Sequence, residues 1–147
     1  MPDYGKKFEK QFLEDWGNSF PNTFIYRLSD QQSRYKGSSR NPCDFICYNK
    51  KNLYLIECKS HAGNTISFDN LRQHDLLKLY EDCAITGYVC WFYDHDEVFF
   101  IPTQTVTKMK EDGKKSINRK DKDIYHFITI PSKKKRTFLI SDYSILS

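Results

Sequence analysis

The chain lacks any apolar run approaching the length of a membrane span, and its first helix-like stretch carries Lys6, Glu9, Lys10 and Glu14 where a secretion signal would be apolar. Both absences predict a cytosolic protein. The five cysteines, Cys43, Cys47, Cys58, Cys83 and Cys90, are odd in number and lie on strand-like or helix-like segments, so no disulfide framework is expected and the thiols read as free. Cys43 and Cys47 have no second Cys/His pair at ligand spacing, and the four histidines are scattered, which argues against a zinc site. There is no internal repeat and no long linker. A chain of 147 residues without these features is expected to form one domain over residues 1–147, large enough to bury a sizeable core.

What is present is aromatic and unevenly charged: 16% of residues are aromatic, 39% hydrophobic, and the net charge is a modest +4. The charge is concentrated late. Between Lys108 and Arg136 eleven basic residues, among them Lys114, Lys115 and Arg119, face four acids. Such a segment suits a polyanionic partner, and equally a solvated surface. A second polar stretch, 29–41, contains Arg34, Tyr35, Lys36 and Arg40, a mix fitted to phosphate contact with one stacking ring, or to a plain flexible loop inserted as an arm between two strands.

Tyr4, Phe8, Phe12 and Trp16 recur every fourth residue and predict a helix from about 4 to 16, ended by Gly17 and Pro21. Glu9 falls inside its apolar arc, as a structural acid paired with a cation or as a functional acid near a cleft. Strands are predicted at 23–28, 44–48 and 53–59, then a helix over 70–83 capped near Ser67, strands at 84–93 and 97–101, a short helix at 103–109, and edge strands at 124–130 and 136–140. This order predicts an α/β fold with a central mixed β-sheet flanked by helices. On the second helix Gln73 lies within the apolar arc and points at the sheet, either to satisfy buried backbone groups or to serve a site there.

The stretch Leu53–Lys59 is the most informative. It is an apolar, strand-forming run that ends on a carboxylate and an ammonium, Glu57 and Lys59, and alternation puts both on one face. Buried charge is costly unless paired or metal-bound. The short turn at 49–52 predicts an antiparallel hairpin, which brings Asp44 opposite Glu57. Asp44, a 12-residue gap, then Glu57-Cys58-Lys59 has the form of a metal-dependent nuclease site. Two carboxylates with the backbone carbonyl of Cys58 are the hard oxygen donors that Mg²⁺ takes, and Lys59 is placed to orient water or meet charge growing on phosphorus. The plain alternative is a surface salt-bridge cluster at a strand end.

Gly5-Lys6-Lys7-Phe8-Glu9, Pro42-Cys43-Asp44, Ile56-Glu57-Cys58-Lys59 and Ser67-Phe68 with Gln73-His74, spread over about residues 5–101, resemble the PD-(D/E)xK nucleases. Within them the chain resembles the RecU/Hjc-type Holliday junction resolvases, including phage-encoded relatives. The resemblance implies a restriction-endonuclease-like core and a homodimer that cuts two opposed strands of a four-way DNA junction with Mg²⁺, or Mn²⁺ in its place, in the cytosol of a bacterium or a phage-infected host. It makes Glu9, Asp44 and Glu57 the acidic metal site, Lys59 the catalytic lysine and Gln73 a supporting polar residue. The arm at 29–41 is shorter than the stalk that RecU-type enzymes carry there. Two other readings stay open: a restriction- or repair-type endonuclease on duplex DNA, and a non-catalytic nucleic-acid-binding module.

Overall fold

The computed structural model describes residues 3–29, 41–136 and 138–147. Its first element, the helix α1 (Tyr4–Ser19), is capped by Asp3, whose carboxylate accepts the Lys6 amide at 3.1 Å. The helix runs through Gly17 rather than ending there. Trp16 and Phe20 on either side are buried against the sheet, and that packing outweighs the roughly 1 kcal/mol a helical glycine costs.

The main sheet has six strands in the order β1 (Ile25–Arg27), β2 (Phe45–Tyr48), β3 (Leu53–His61), β5 (Ile85–Phe92), β6 (Glu97–Pro102) and β8 (Ile128–Thr129). All neighbours are antiparallel except β3 and β5. The sheet is therefore mixed, as the alternation of elements predicts. The parallel step is carried by β4 (Thr65–Ser67), a 3₁₀ turn at Phe68–Asn70 and the helix α2 (His74–Lys78). Gly87 on β5 sits where an added Cβ would lie 2.6 Å from the Ile101 carbonyl oxygen, so the close approach of β6 and Phe100 requires glycine.

Alternation sorts the strands' side chains into two cores. On one face Phe8, Phe12 and Trp16 of α1 pack on Phe45, Tyr54, Ile56 and Val89, closed from the other side by Tyr143 and Leu146. Buried Asp15 pins α1 to β10 (Phe138–Ser141), accepting the Ser141 amide at 2.9 Å. On the other face Leu55, Tyr88 and Cys90 are covered by Leu71 and Leu77 around α2, and by Val106 and Met109 of α3 (Thr103–Glu111).

Three sequence expectations are corrected. The second helix is not continuous over 70–83. Its flanks are closed by three-residue bonds, Leu71 N to Phe68 O, Leu79 N to Leu76 O and Tyr80 N to Leu77 O, and this tighter winding turns Leu79 and Tyr80 out to 73% and 40% exposure. The edge strand expected at 124–130 shrinks to Ile128–Thr129, because residues 119–123 wind into a 3₁₀ turn capped by Asn118 and Ile124 is left outside, 77% exposed. Finally, β9 (Ser132–Lys135) forms from a lysine run and pairs with β10 as a separate hairpin, while β7 (Ser116–Asn118) pairs with β4.

Candidate active site

The hairpin of β2 and β3 is held in register by its turn, where the Asn49 side chain accepts the amides of Lys51 and Asn52 at 3.0 and 2.7 Å. Phe45 pairs with Ile56, and Asp44 beside it bonds back to the same residue, its amide on the Ile56 carbonyl at 3.0 Å. The Asp44 and Glu57 carboxylates meet at this end of the hairpin and share a hydrogen bond.

Asp44 is oriented by the backbone, its Oδ2 accepting the Cys58 amide at 2.9 Å. In extended chain the N–H and C=O of one residue point the same way. The Cys58 carbonyl thus opens toward the carboxylates, beyond the end of the β2 ladder. The Cys58 thiol lies on the opposite face, fully buried, and burial raises its pKa well above the usual thiol value.

Glu57 is buried at 4% exposure. Burial, and then the neighbouring Asp44 charge, push its pKa up to about 8, against the pull of Lys59, whose Nζ stands 3.4 Å from Glu57 Oε2. Glu9 reaches the same cluster from α1. Its pKa is raised by burial and by Asp44, and opposed by Arg27, which donates to Glu9 Oε2 at 3.0 Å. Glu9 is thus paired with a cation and lies near Asp44.

Gln73 stands at the start of α2, lining a groove with Lys59, and its Oε1 is buried without a hydrogen-bond partner. An orphaned acceptor of this kind is costly and points to a ligand or water. Of the groups expected to touch nucleic acid, Lys114 is 3.1 Å from Asp121, and Arg119 is paired with Glu97, which also holds Lys122 at 2.9 Å. These ion pairs brace the β7 region while leaving about a third of the Lys114 side chain exposed. Lys115 is exposed. Arg34, Tyr35, Lys36 and Arg40 lie outside the described residues.

Two site features escaped the sequence. Arg27 becomes a partner of Glu9 only because β1 pairs with β2, Arg27 opposite Phe45; a lone cation on a strand was the only signal. His74 is buried between Tyr88 and Thr107, its Nδ1 3.0 Å from the Tyr88 hydroxyl and its Nε2 3.1 Å from Thr107 Oγ1. Burial lowers its pKa to about 4, so it stands neutral as a brace under α2.

Among the described residues no group of three or more His, Cys, Asp or Glu side chains is placed to hold a metal ion. The five cysteines are free. The donors at the hairpin are two carboxylates, Asp44 and Glu57, and the Cys58 carbonyl, with Glu9 near Asp44. Burial and the Asp44 charge raise the pKa of Glu57 and of Glu9, a crowding that fits a cation beside them, and oxygen donors fit Mg²⁺ or Mn²⁺ in preference to zinc.

A family model described as archaeal Holliday junction resolvase (Hjc) matches residues 32–136. Among solved structures, a Holliday junction resolvase Hjc from the archaeal hyperthermophile Archaeoglobus fulgidus superposes with a TM-score of 0.55 at 20% identity, over 82% of this chain and 93% of that one. No curated protein matches the chain.

Proposed function

The chain belongs to the archaeal Holliday junction resolvase family, within the PD-(D/E)xK nucleases, and from that membership we infer a junction-resolving endonuclease that cuts through the Asp44, Glu57 and Lys59 cluster. The observation that carries the site assignment is the convergence of Asp44 and Glu57 across one hairpin with Lys59 Nζ 3.4 Å from Glu57.

Asp44, Glu57 and the Cys58 carbonyl would hold Mg²⁺, or Mn²⁺ in its place, with Arg27 pairing Glu9 beside them. The cation, when bound, would supply charge neutralisation at the phosphate and lower the pKa of a water. Asp44, fixed by the Cys58 amide, orients the donor set. Lys59 lies on the same face one pleat beyond Glu57, where its ammonium meets negative charge developing on the phosphoryl oxygens. Gln73 lines the same groove.

Two opposed cuts in a four-way junction call for two sites, and we assign a homodimer. Its support is an apolar surface left exposed among the described residues. Phe24, Tyr48 and Leu53 form one row across β1–β3, and Tyr26 and half-buried Ile46 lie in the next, where Leu55 is buried. Phe24 and Tyr26 are stacked and each 53% exposed, with Tyr48 at 38% and Leu53 at 39%. Together they present on the order of 350 Å² of apolar surface, which would form the centre of an interface of about 800 Å² per partner. The occupant proposed is a second copy. A Tyr26→Lys variant is then expected to sediment as a monomer where the wild-type protein sediments as a dimer, and a monomeric wild-type protein would contradict the assignment.

The function is tested with a labelled four-way junction and a matched linear duplex, incubated in Mg²⁺ or EDTA. Metal-dependent cutting confined to the junction is expected, and its loss in Lys59→Ala with junction binding retained. Equal cutting of both DNAs would move the reading to a general duplex endonuclease. Tight binding with no metal-dependent cutting of either would leave a binding module.

A further inference from the structure

Two cavities border the site, one through Glu9 and the other through Lys59. One, of about 340 Å³, is lined by Lys6, Glu9, Lys10 and Arg27. The other, of about 370 Å³, lies past Lys59 and is lined by His61, Asn70, Arg72 and Gln73 over buried Ile66. Each lies within the range of small-molecule sites, about 300–1,000 Å³. A DNA strand whose scissile phosphate faces Glu57 and Lys59 must send one neighbouring nucleotide toward the second cavity.

The chemistry of that cavity suits more than a phosphate. Lys59 and Arg72 supply cations for the backbone. His61 lies on the same face of β3 as Glu57 and Lys59, and its Nδ1 is 2.8 Å from the Ala62 carbonyl, which leaves Nε2 for a ligand. Asn70 and Gln73 add amide groups to its lining. An amide both donates and accepts, which matches the mixed donor and acceptor edge of a nucleobase. A phosphate, which offers only acceptors, would use only half of that capacity.

Building on the nuclease reading, we propose that the cavity between Lys59 and Arg72 receives one unstacked nucleotide next to the scissile phosphate, its backbone held by Lys59 and Arg72 and its base edge by Asn70 and Gln73. Pulling a base from a paired stack is costly, and least so where pairing is already interrupted. At the branch point of a junction that cost is reduced; within a continuous duplex it is paid in full. The subsite thereby makes the cleavage centre sensitive to DNA structure without any reading of sequence by the basic segment.

The test uses the full chain in EDTA, so that binding is read apart from cutting. 2-Aminopurine is placed in turn at each position within three nucleotides of the branch of a four-way junction and in a matched duplex, and complex formation is followed by anisotropy. The wild-type protein is expected to raise 2-aminopurine fluorescence several-fold at one position per cut strand in the junction, and little in the duplex. An Asn70→Ala/Arg72→Ala variant, with a melting temperature near that of wild type, is expected to bind the junction without that rise; a single Asn70→Ala variant serves the same end should the pair not fold. In Mg²⁺ the same variants are expected to lose roughly tenfold or more of the preference for junction over duplex. No rise at any position in a complex that anisotropy shows to be formed, or an equal rise with the variants, would overturn the subsite and leave the resolvase reading standing. No preference for junction over duplex in the wild-type titration would overturn that reading and the subsite with it.

Discussion

Replacing Asp44 by Asn removes one charge from the hairpin while keeping its shape, and the consequence is worked out most directly on Glu57. Burial and the Asp44 charge hold the Glu57 pKa at about 8, where an unfolded chain has about 4.5. The folded protein thus keeps a proton that the unfolded chain gives up. Stability from this group is full below pH 4.5, declines as pH rises, and is lost once pH passes about 8. One such proton costs up to about 1.4 kcal/mol per pH unit, a few kcal/mol in all. The useful window is pH 6.5 to 8.5, where folded His74, with a pKa of about 4, stays neutral and only the upper half of its unfolded titration near 6.5 remains. In metal-free buffer the wild-type unfolding free energy is expected to fall by about 1–2 kcal/mol across that window. In Asp44→Asn the fall shrinks, though burial still raises Glu57, so it does not vanish. Urea melts at half-unit pH steps read the slope, and ¹³C-carboxyl NMR follows Glu57 itself. An Asp44→Asn slope as steep as that of wild type would refute the coupling between the two carboxylates.

Arg27→Ala withdraws the guanidinium from Glu9 and is expected to weaken Mg²⁺ binding about 10- to 100-fold, the usual effect of losing a group that orients a ligand, with isothermal titration as the measure. Below neutrality His74 works against Glu57: the unfolded histidine takes a proton near pH 6.5 and the folded one only near 4, so its own contribution, roughly 3 kcal/mol, is lost as pH falls through that range while that of Glu57 grows, and His74→Gln should make stability rise more steeply from pH 6.5 toward 5 in acid melts. Gly87→Ala forces a methyl against the Ile101 carbonyl and the Phe100 ring and is expected to cost about 1–3 kcal/mol in thermal unfolding.

The site was readable where geometry is local. The alternation along Leu53–Lys59 and a four-residue turn are enough to place Glu57 and Lys59 on one face with Asp44 near them, and the structure brings the three together. The mixed sheet followed from the order of elements for the same reason. What the sequence concealed depends on contacts far apart in the chain. Arg27 meets Glu9 only through the register of β1 on β2. Glu97 pairs with Arg119 and Lys122 from another strand, which a count of charge along 108–136 does not show. The second helix read as continuous because its leucines have helical spacing, yet three-residue bonds at its flanks break the phase and expose Leu79.

The most direct test of paired cutting by this site is digestion of a supercoiled plasmid that extrudes a cruciform. Two coordinated cuts across one junction yield linear plasmid, whereas a lone cut releases the supercoil, absorbs the cruciform and leaves a nicked circle. With Mg²⁺ the wild-type protein is predicted to give linear product as the main early species, and Lys59→Ala neither product. Nicked circles accumulating first with wild type, or linear product from Lys59→Ala at the wild-type rate, would contradict the account.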